Sequence, residues 1–306
     1  MRIRLLGTAA GGGVPQWNCN CPACREARAG TGRVTPRTQS AVAISADDKR
    51  WFLLNASPDI RSQIENFPPL HPPAGETRGS PIEGVLLTNA DLDHTLGLFI
   101  LREGERLKVH ATGQVRRSLT EGVSIAPTMA FFCGIDWIEP PSRLAPLPCR
   151  DGSPSGLRYQ ALDLNGKPPR FMQGGAKAAP GEVVGYRIVD ERTGGRLLFL
   201  PDVAQISETL QSEFSECDAL LFDGTFWSEN EMEQSGVGHA LAGSMGHVPI
   251  SGSRGSLEIL ARLKIRNKTY VHINNTNPIL LRDSAEHAAV KAAGCGIGED
   301  GLELSI

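Results

Sequence analysis

Two short stretches carry most of the chemistry open to this chain. The first is Thr88-Asn89-Ala90-Asp91-Leu92-Asp93-His94, directly after the apolar run Gly84-Val85-Leu86-Leu87. Two carboxylates and an imidazole at the end of a buried strand point metal-ligating groups out of a sheet edge, where α/β proteins keep their sites. If strand geometry persists to its end, period-two alternation puts Asp91 and Asp93 on one face. His94 joins them only where the chain turns, as on entering a helix. The competing reading is an Asp N-cap with a His beside it. The second stretch is Cys19-Asn20-Cys21-Pro22-Ala23-Cys24. Three thiols at C-x-C-x-x-C spacing can wrap one ion and leave a fourth tetrahedral position for a distant residue, which points to structural zinc.

Ligand-type residues recur wherever strands stop. Asp202 follows the run 196–200, Asp223 closes 218–223, and His272 is delivered by 269–273. One such residue is usually a cap or turn former. Four strands ending this way point to a composite metal centre at one end of a sheet. His247 lies in the same loop system ahead of a helix and reads equally as a proton donor, a substrate contact or a packing residue. His110 alternates within a strand and reads as packed or solvated. His71 sits in a surface loop without a role, and Cys149 reads as structural. The Gly-rich loop 7–13 has neither the G-x-G-x-x-G spacing nor the Lys of a phosphate cradle.

The elements that must hold these residues alternate along the chain. Strands are expected at 3–6, 40–45, 51–55, 84–87, 108–111, 157–164, 218–223, 269–273 and 302–306. A hairpin joins 183–189 to 196–200 across Arg192-Thr193-Gly194-Gly195. Helices are expected at 60–65, after His94, and at 114–122, 207–216, 256–263 and 284–293. Residues 66–82 and 140–156 read as Pro-rich excursions, 128–138 as partly buried, and 236–246 as a flexible loop holding His239. No linker or repeat divides the chain, so a single layered α/β domain over 1–306 is expected.

Composition narrows the function classes. The 306 residues are 40% hydrophobic with a formal net charge of -3, enough for a large core and without the basic footprint of nucleic-acid binding. The opening apolar run is too short for a signal peptide and no stretch suffices to span a membrane. Seven cysteines, three of them within six residues, suit a reducing cytoplasm and a metal site better than a disulfide framework.

These motifs together resemble the metallo-β-lactamase superfamily. Its H-x-H-x-D-H signature lines up with Asn89-Ala90-Asp91-Leu92-Asp93-His94, its bridging Asp with Asp202 and its final His with His272. The resemblance covers nearly the whole chain and implies a four-layer αββα sandwich with the metal site at the shared edge of two sheets. Asn89 and Asp91 stand where two imidazoles are usual, and no His occurs between His110 and His239. More closely, the chain resembles the branch of that superfamily that acts in pyrroloquinoline quinone (PQQ) synthesis. The residues carrying this are Trp17–Cys24, Thr88–His94, Met245–Ile250 and His272–Pro278.

That resemblance implies a cytoplasmic role in making PQQ from a Glu- and Tyr-bearing precursor peptide, through an iron-dependent, O2-using hydroxylation of the tyrosine ring. An older description of the branch is a carrier of PQQ or its precursor to the periplasm. Two His with one or two carboxylates (His94, His272, Asp93, Asp91) approach the 2-His-1-carboxylate set of non-haem Fe(II) oxygenases, although zinc can displace iron during purification. Catalytic roles are expected for Asp93, His94, His272 and His247. Asp202 is read as a further ligand or an orienting partner, Asn89 as a substrate contact, and Asp223 as an orienting partner, a substrate contact or a turn former. Related phosphodiesterases place a His three residues beyond the final metal His. Here that position is Asn275, a poorer fourth ligand for the Cys19, Cys21 and Cys24 zinc, with His247, His239 or water as alternatives. A zinc hydrolase is disfavoured by the missing imidazoles, and the resemblance leaves a homodimer open.

Overall fold

The computed structural model describes residues 1–172 and 179–306. Six strands come first: β1 (Arg2–Gly7), β2 (Ala41–Ser45), β3 (Trp51–Leu54), β4 (Ile82–Leu86), β5 (Leu107–His110) and β6 (Ile135–Ile138). Eight follow: β7 (Ala145–Pro148), β8 (Pro154–Asp163), β9 (Val184–Asp190), β10 (Arg196–Leu200), β11 (Ala219–Asp223), β12 (Asn267–Val271), β13 (Gly296–Ile297) and β14 (Glu303–Ser305). Among the described residues they form two seven-stranded sheets, ordered β14-β1-β2-β3-β4-β5-β6 and β13-β12-β11-β10-β9-β8-β7. Each half of the chain builds one sheet, and β14 returns to lie beside β1 in the first.

Strand alternation explains why the two sheets stack and why each is also covered by helices. Phe52 and Leu54 of β3 pack inward against Leu197 and Phe199 of β10. Their neighbours Trp51 and Leu53 point outward, where Ile60, Leu98, Val115 and Leu119 cover them. On the far side Leu198, Leu200, Leu220 and Phe222 face outward onto Leu210, Phe214, Leu260 and Val290. Strands apolar on both faces are what a doubly covered sheet needs, and the result is the expected αββα sandwich. Among the described residues no helix is long and apolar enough to cross a membrane.

Several elements differ from the sequence expectation. Strand β4 stops at Leu86, so Asp91 and Asp93 do not share a strand face. Residues 87–91 form a loop, and His94 reaches the site on the short helix Leu92–Thr95. The Pro-rich excursion 140–156 contains β7 and the start of β8. Pro146 and Pro148 are tolerated because β7 is the outermost strand of its sheet and needs no donor on its free side. The helix after Thr112 runs only over Gly113–Arg117 before widening into the π-turn Ser118–Gly122.

His110, at the end of β5, is fully buried and shares a 2.8 Å hydrogen bond with the Tyr159 hydroxyl. It is packed rather than liganding. Burial, helped by Lys108, pushes its pKa down to about 4. The unfolded chain therefore takes up this proton first, and stability held above about pH 6.5 drains away as pH falls toward 4. Between pH 7 and pH 5 the loss from this residue is about 2 kcal/mol. Urea unfolding at both pH values should show a His110→Gln chain losing that much less than the parent.

Candidate metal centre

The site lies where the two sheets share an edge. The first sheet contributes the loop after β4. Thr88 is locked there by Asn55, whose Oδ1 accepts from the Thr88 amide at 2.9 Å and whose Nδ2 donates to its hydroxyl at 3.0 Å. The Thr88 carbonyl accepts from Val184 of the second sheet at 2.7 Å, which ties the two sheets together at the site. The second sheet contributes Asp202 after β10, Asp223 at the end of β11, His272 after β12 and His247 from the loop beyond residue 236. His272 has φ +56, a left-handed conformation that a non-glycine residue adopts at a local cost.

Three imidazoles and two carboxylates converge. Asp93, His94 and His272 form one group whose ligand atoms lie within 4.8 Å of one another, and Asp202, His247 and His272 form a second. His272 is common to both. Its Nε2 is 3.2 Å from Asp93 Oδ2 and 3.7 Å from Asp202 Oδ1. Asp93 Oδ2 is 3.7 Å from His94 Nε2.

Each imidazole is held from behind through Nδ1. The Asn89 amide donates to Asp202 Oδ2 at 3.1 Å, so its Oδ1 faces His94 Nδ1 at 2.9 Å and that nitrogen donates. His247 Nδ1 donates to Asp223 Oδ2 at 2.8 Å. Thr225 donates to Asp223 Oδ1 at 2.7 Å and accepts from His272 Nδ1 at 2.8 Å. Nδ1 bonded outward fixes the tautomer that leaves Nε2 free for a metal, the arrangement usual behind metal-bound histidines.

Charge and burial agree with a cation at this point. His94 Nε2 is buried without any hydrogen-bond partner, an arrangement rare for a buried polar atom unless something else binds it. Burial opposes charge on His272, but Asp202, Asp93 and Asp223 push its pKa up to about 10. Burial, with Asp93 and Asp202 beside it, raises Asp91 to about 7. Without a metal the centre thus holds protons where a divalent ion would otherwise sit, and the donor set suits a transition metal. A cavity of about 590 Å³ opens above it, with Phe226, Met232 and Met245 on its apolar wall.

The second cluster is built on the helix Pro22–Ala29, with Cys21 at its N-cap and Pro22 in the first position, where a missing N–H costs nothing. The sulfurs of Cys19, Cys21 and Cys24 lie within 4.8 Å of one another. Cys24 accepts from the Gln16 amide at 3.3 Å and Cys19 from the Cys21 amide at 3.4 Å. The Asn275 side-chain amide faces all three, 3.0 Å from Cys19 and 3.5 Å from the other two. Rotation of that amide exchanges its nitrogen and oxygen, so Oδ1 can take the fourth corner. Burial, with the neighbouring sulfurs adding to it, pushes the Cys21 thiol up to about 12. Three sulfurs this close need a cation to ionise together, so the cluster fits a tetrahedral metal site. Arg28 fastens the loop by donating to the Cys19, Gln16 and Trp17 carbonyls.

Of the residues expected at the site, the structure brings Asp93, His94, Asp202 and His272 together and adds His247 as a ligand-type neighbour. Asp91 lines the cavity but stands outside both ligand groups. Asp223 is fully buried, with its oxygens taken by His247, Thr225 and the Val203 amide. These contacts place it behind the histidines, where the orienting reading puts it. Asn89 is likewise occupied at both ends of its amide. His247 groups with Asp202 and His272 and the His239 side chain is 92% exposed, so neither completes the cysteine cluster. Thr225 is the functional residue that sequence reasoning misses, because a threonine two residues beyond a strand-end Asp carries no signal of its own.

Residues 50–273 match the family model of the beta-lactamase superfamily domain. The chain is 42% identical over 309 residues to the coenzyme PQQ synthesis protein B of Methylorubrum extorquens (strain PA1), with 100% of both covered. It is 42% identical over 310 residues to the protein of the same name from Ectopseudomonas mendocina (strain ymp), covering 99% of each. Among solved structures it is similar to Zn(2+)-bound PqqB from Methylobacterium extorquens, at 41% identity and a TM-score of 0.90 with both chains covered in full. A diphosphatase of the PhnP family, 18% identical with a TM-score of 0.69 over 100% and 97% of the two chains, shares the fold.

Proposed function

We propose, since this chain belongs to the coenzyme PQQ synthesis protein B family of the beta-lactamase superfamily, that it takes part in PQQ synthesis. We read its reaction as an iron-dependent hydroxylation, with O2, of the tyrosine ring of a Glu-Tyr-type precursor. The observation that carries this is the grouping of Asp93, His94 and His272. Two imidazoles and one carboxylate facing a single point match the ligand set of non-haem Fe(II) oxygenases, which leaves positions open for substrate and oxygen. Iron(II) bound there would supply the activation of O2.

The chain's own residues do the remaining work. Asn89 holds His94 and Asp202 in register across the two sheets. Thr225 and Asp223 keep the His272 and His247 rings turned inward. Phe226, Met232 and Met245 give an aromatic ring an apolar wall, and Asp91 faces the same space. The zinc-hydrolase reading has less support, because Asn89 and Asp91 occupy positions where a dinuclear hydrolase carries imidazoles. For the Cys19, Cys21, Cys24 and Asn275 cluster we propose structural zinc.

Loading the metal-stripped chain anaerobically with Fe(II) and admitting O2 with a Glu-Tyr dipeptide and ascorbate, which supplies the two electrons that take the second oxygen atom to water, tests the reaction. Stimulated oxygen uptake with iron and not zinc, and a product one oxygen atom heavier, are expected. No uptake and no such product across several Glu-Tyr-type peptides would leave the carrier role as the better reading.

A further inference from the structure

The cavity is lined by Asp91, Asp93 and Asp202 and also by two cations, Lys167 and Arg170. They flank Pro168 and Pro169, which are buried and whose rings fix the backbone between them. Arginines elsewhere on the surface are commonly matched, as Arg33 is to Asp283 and Arg282 to Glu299. Among the described residues Lys167 and Arg170 reach no carboxylate at ion-pair distance, although three line the same cavity. The stretch 173–178, Gln173-Gly174-Gly175-Ala176-Lys177-Ala178, contains no acid that could serve them. Lys167 Nζ lies 3.5 Å from the Ser244 carbonyl, so its ammonium stands toward the wall formed by residues 240–246.

We propose that Lys167 and Arg170 are specificity-determining residues that anchor the carboxylates of the substrate, and so turn its ring toward the Asp93–His94–His272 centre. The assignment rests on the reading that this cavity takes a PQQ precursor. A Glu-Tyr-derived molecule carries several carboxylates, and Asp91, Asp93 and Asp202 would repel them. Cations that line the same cavity, out of ion-pair reach of those acids, supply both the attraction and the direction. Arg170 can hold one carboxylate through two parallel N–H donors, while Lys167 acts as a point charge. Both side chains are exposed, so solvent screens the pair and the effect of each is a moderate one.

The test is equilibrium dialysis of the full-length, zinc-loaded chain, with zinc chosen so that bound ligand is not turned over. Three ligands serve as probes: PQQ, PQQ trimethyl ester and the Glu-Tyr dipeptide. For the parent, PQQ and the dipeptide should bind well and the ester poorly. Removing each cation, as Lys167→Gln or Arg170→Gln, should weaken PQQ roughly tenfold, and removing both roughly a hundredfold. The double variant should leave the ester's affinity and the thermal midpoint unchanged. A parent chain that takes up neither PQQ nor the dipeptide overturns the functional reading and this assignment with it. A double variant that binds either acid as tightly as the parent overturns this assignment alone.

Discussion

A His94→Ala chain is expected to lose its active-centre metal and its turnover while remaining folded. Structural zinc peptides bind with about 10–16 kcal/mol shared over four ligands, so one ligand accounts for about 3 kcal/mol, or roughly a hundredfold in metal affinity. Adding Asp93→Ala should weaken the site by a further factor of similar size. Removing the ring relieves the unpaired Nε2 but leaves Asn89 Oδ1 without its donor and a cavity beside it, so the metal-free variant should unfold somewhat earlier than the metal-free parent while staying folded. Asn89→Ala is the informative neighbour, because it touches the metal only through His94 and Asp202. It should weaken binding about tenfold, the low end for residues that orient ligands. Metal content after dialysis, read beside circular dichroism, checks all three. A His94→Ala chain that retains a full complement at both centres would show that the metal lies elsewhere.

The second large effect belongs to the cysteine cluster. Cys24→Ser should remove one metal per chain and lower stability by about 3–5 kcal/mol, a substantial part of what a structural zinc contributes to folding. It should also disturb the distant centre. Asn275 faces the three sulfurs, and it is separated from His272 by only Ile273 and Asn274. That strip is tied to the first sheet through Ile273 and the Thr8 carbonyl at 2.9 Å, and the Cys21 thiol donates to the Asn275 carbonyl at 3.1 Å, so losing Cys24 loosens the Asn275 side chain more than its backbone. Active-centre affinity for metal should fall about tenfold, as for loss of a residue that orients a ligand. Thermal unfolding with and without a chelator, together with metal counting, separates the two effects. Loss of the cysteine-site metal with full affinity at the other centre would show the two to be independent.

Much of this site is legible in the sequence because strand ends announce themselves. Asp202 and His272 follow apolar runs too short to be anything but buried strands, and three cysteines at C-x-C-x-x-C spacing are far closer together than unrelated core thiols would fall. Which strand-end groups meet face to face is a matter of register and depth, which no linear pattern carries. Asp223 pairs with Val271 in the parallel ladder, one residue before His272. It therefore stays inside the sheet and turns to the backs of the imidazoles. Period-two alternation misplaces Asp91, because the backbone leaves the sheet at Leu86. His247 gives only an ambiguous signal, since a loop residue reaches a site through tertiary packing and not through period. The strand β7 hides behind its own prolines, which an edge position tolerates and a central one does not.

The shared strip from His272 to Asn275 also dates the arrival of metal in the life of the chain. A ribosome releases Cys19, Cys21 and Cys24 early, and Asp93 and His94 well before the second sheet exists. Asn275 for the first set and His272 for the second arrive only when the residues just after β12 have emerged. Translation proceeds at about 5–20 residues per second and folds the N-terminal part first, so the first sheet waits for many seconds with open ligands. Both ions must then be taken from whatever pool surrounds the nearly finished polypeptide, in competition ordered by the intrinsic preferences of divalent metals. Which metal a preparation contains then depends on that competition and on later exchange, since zinc can displace iron during purification.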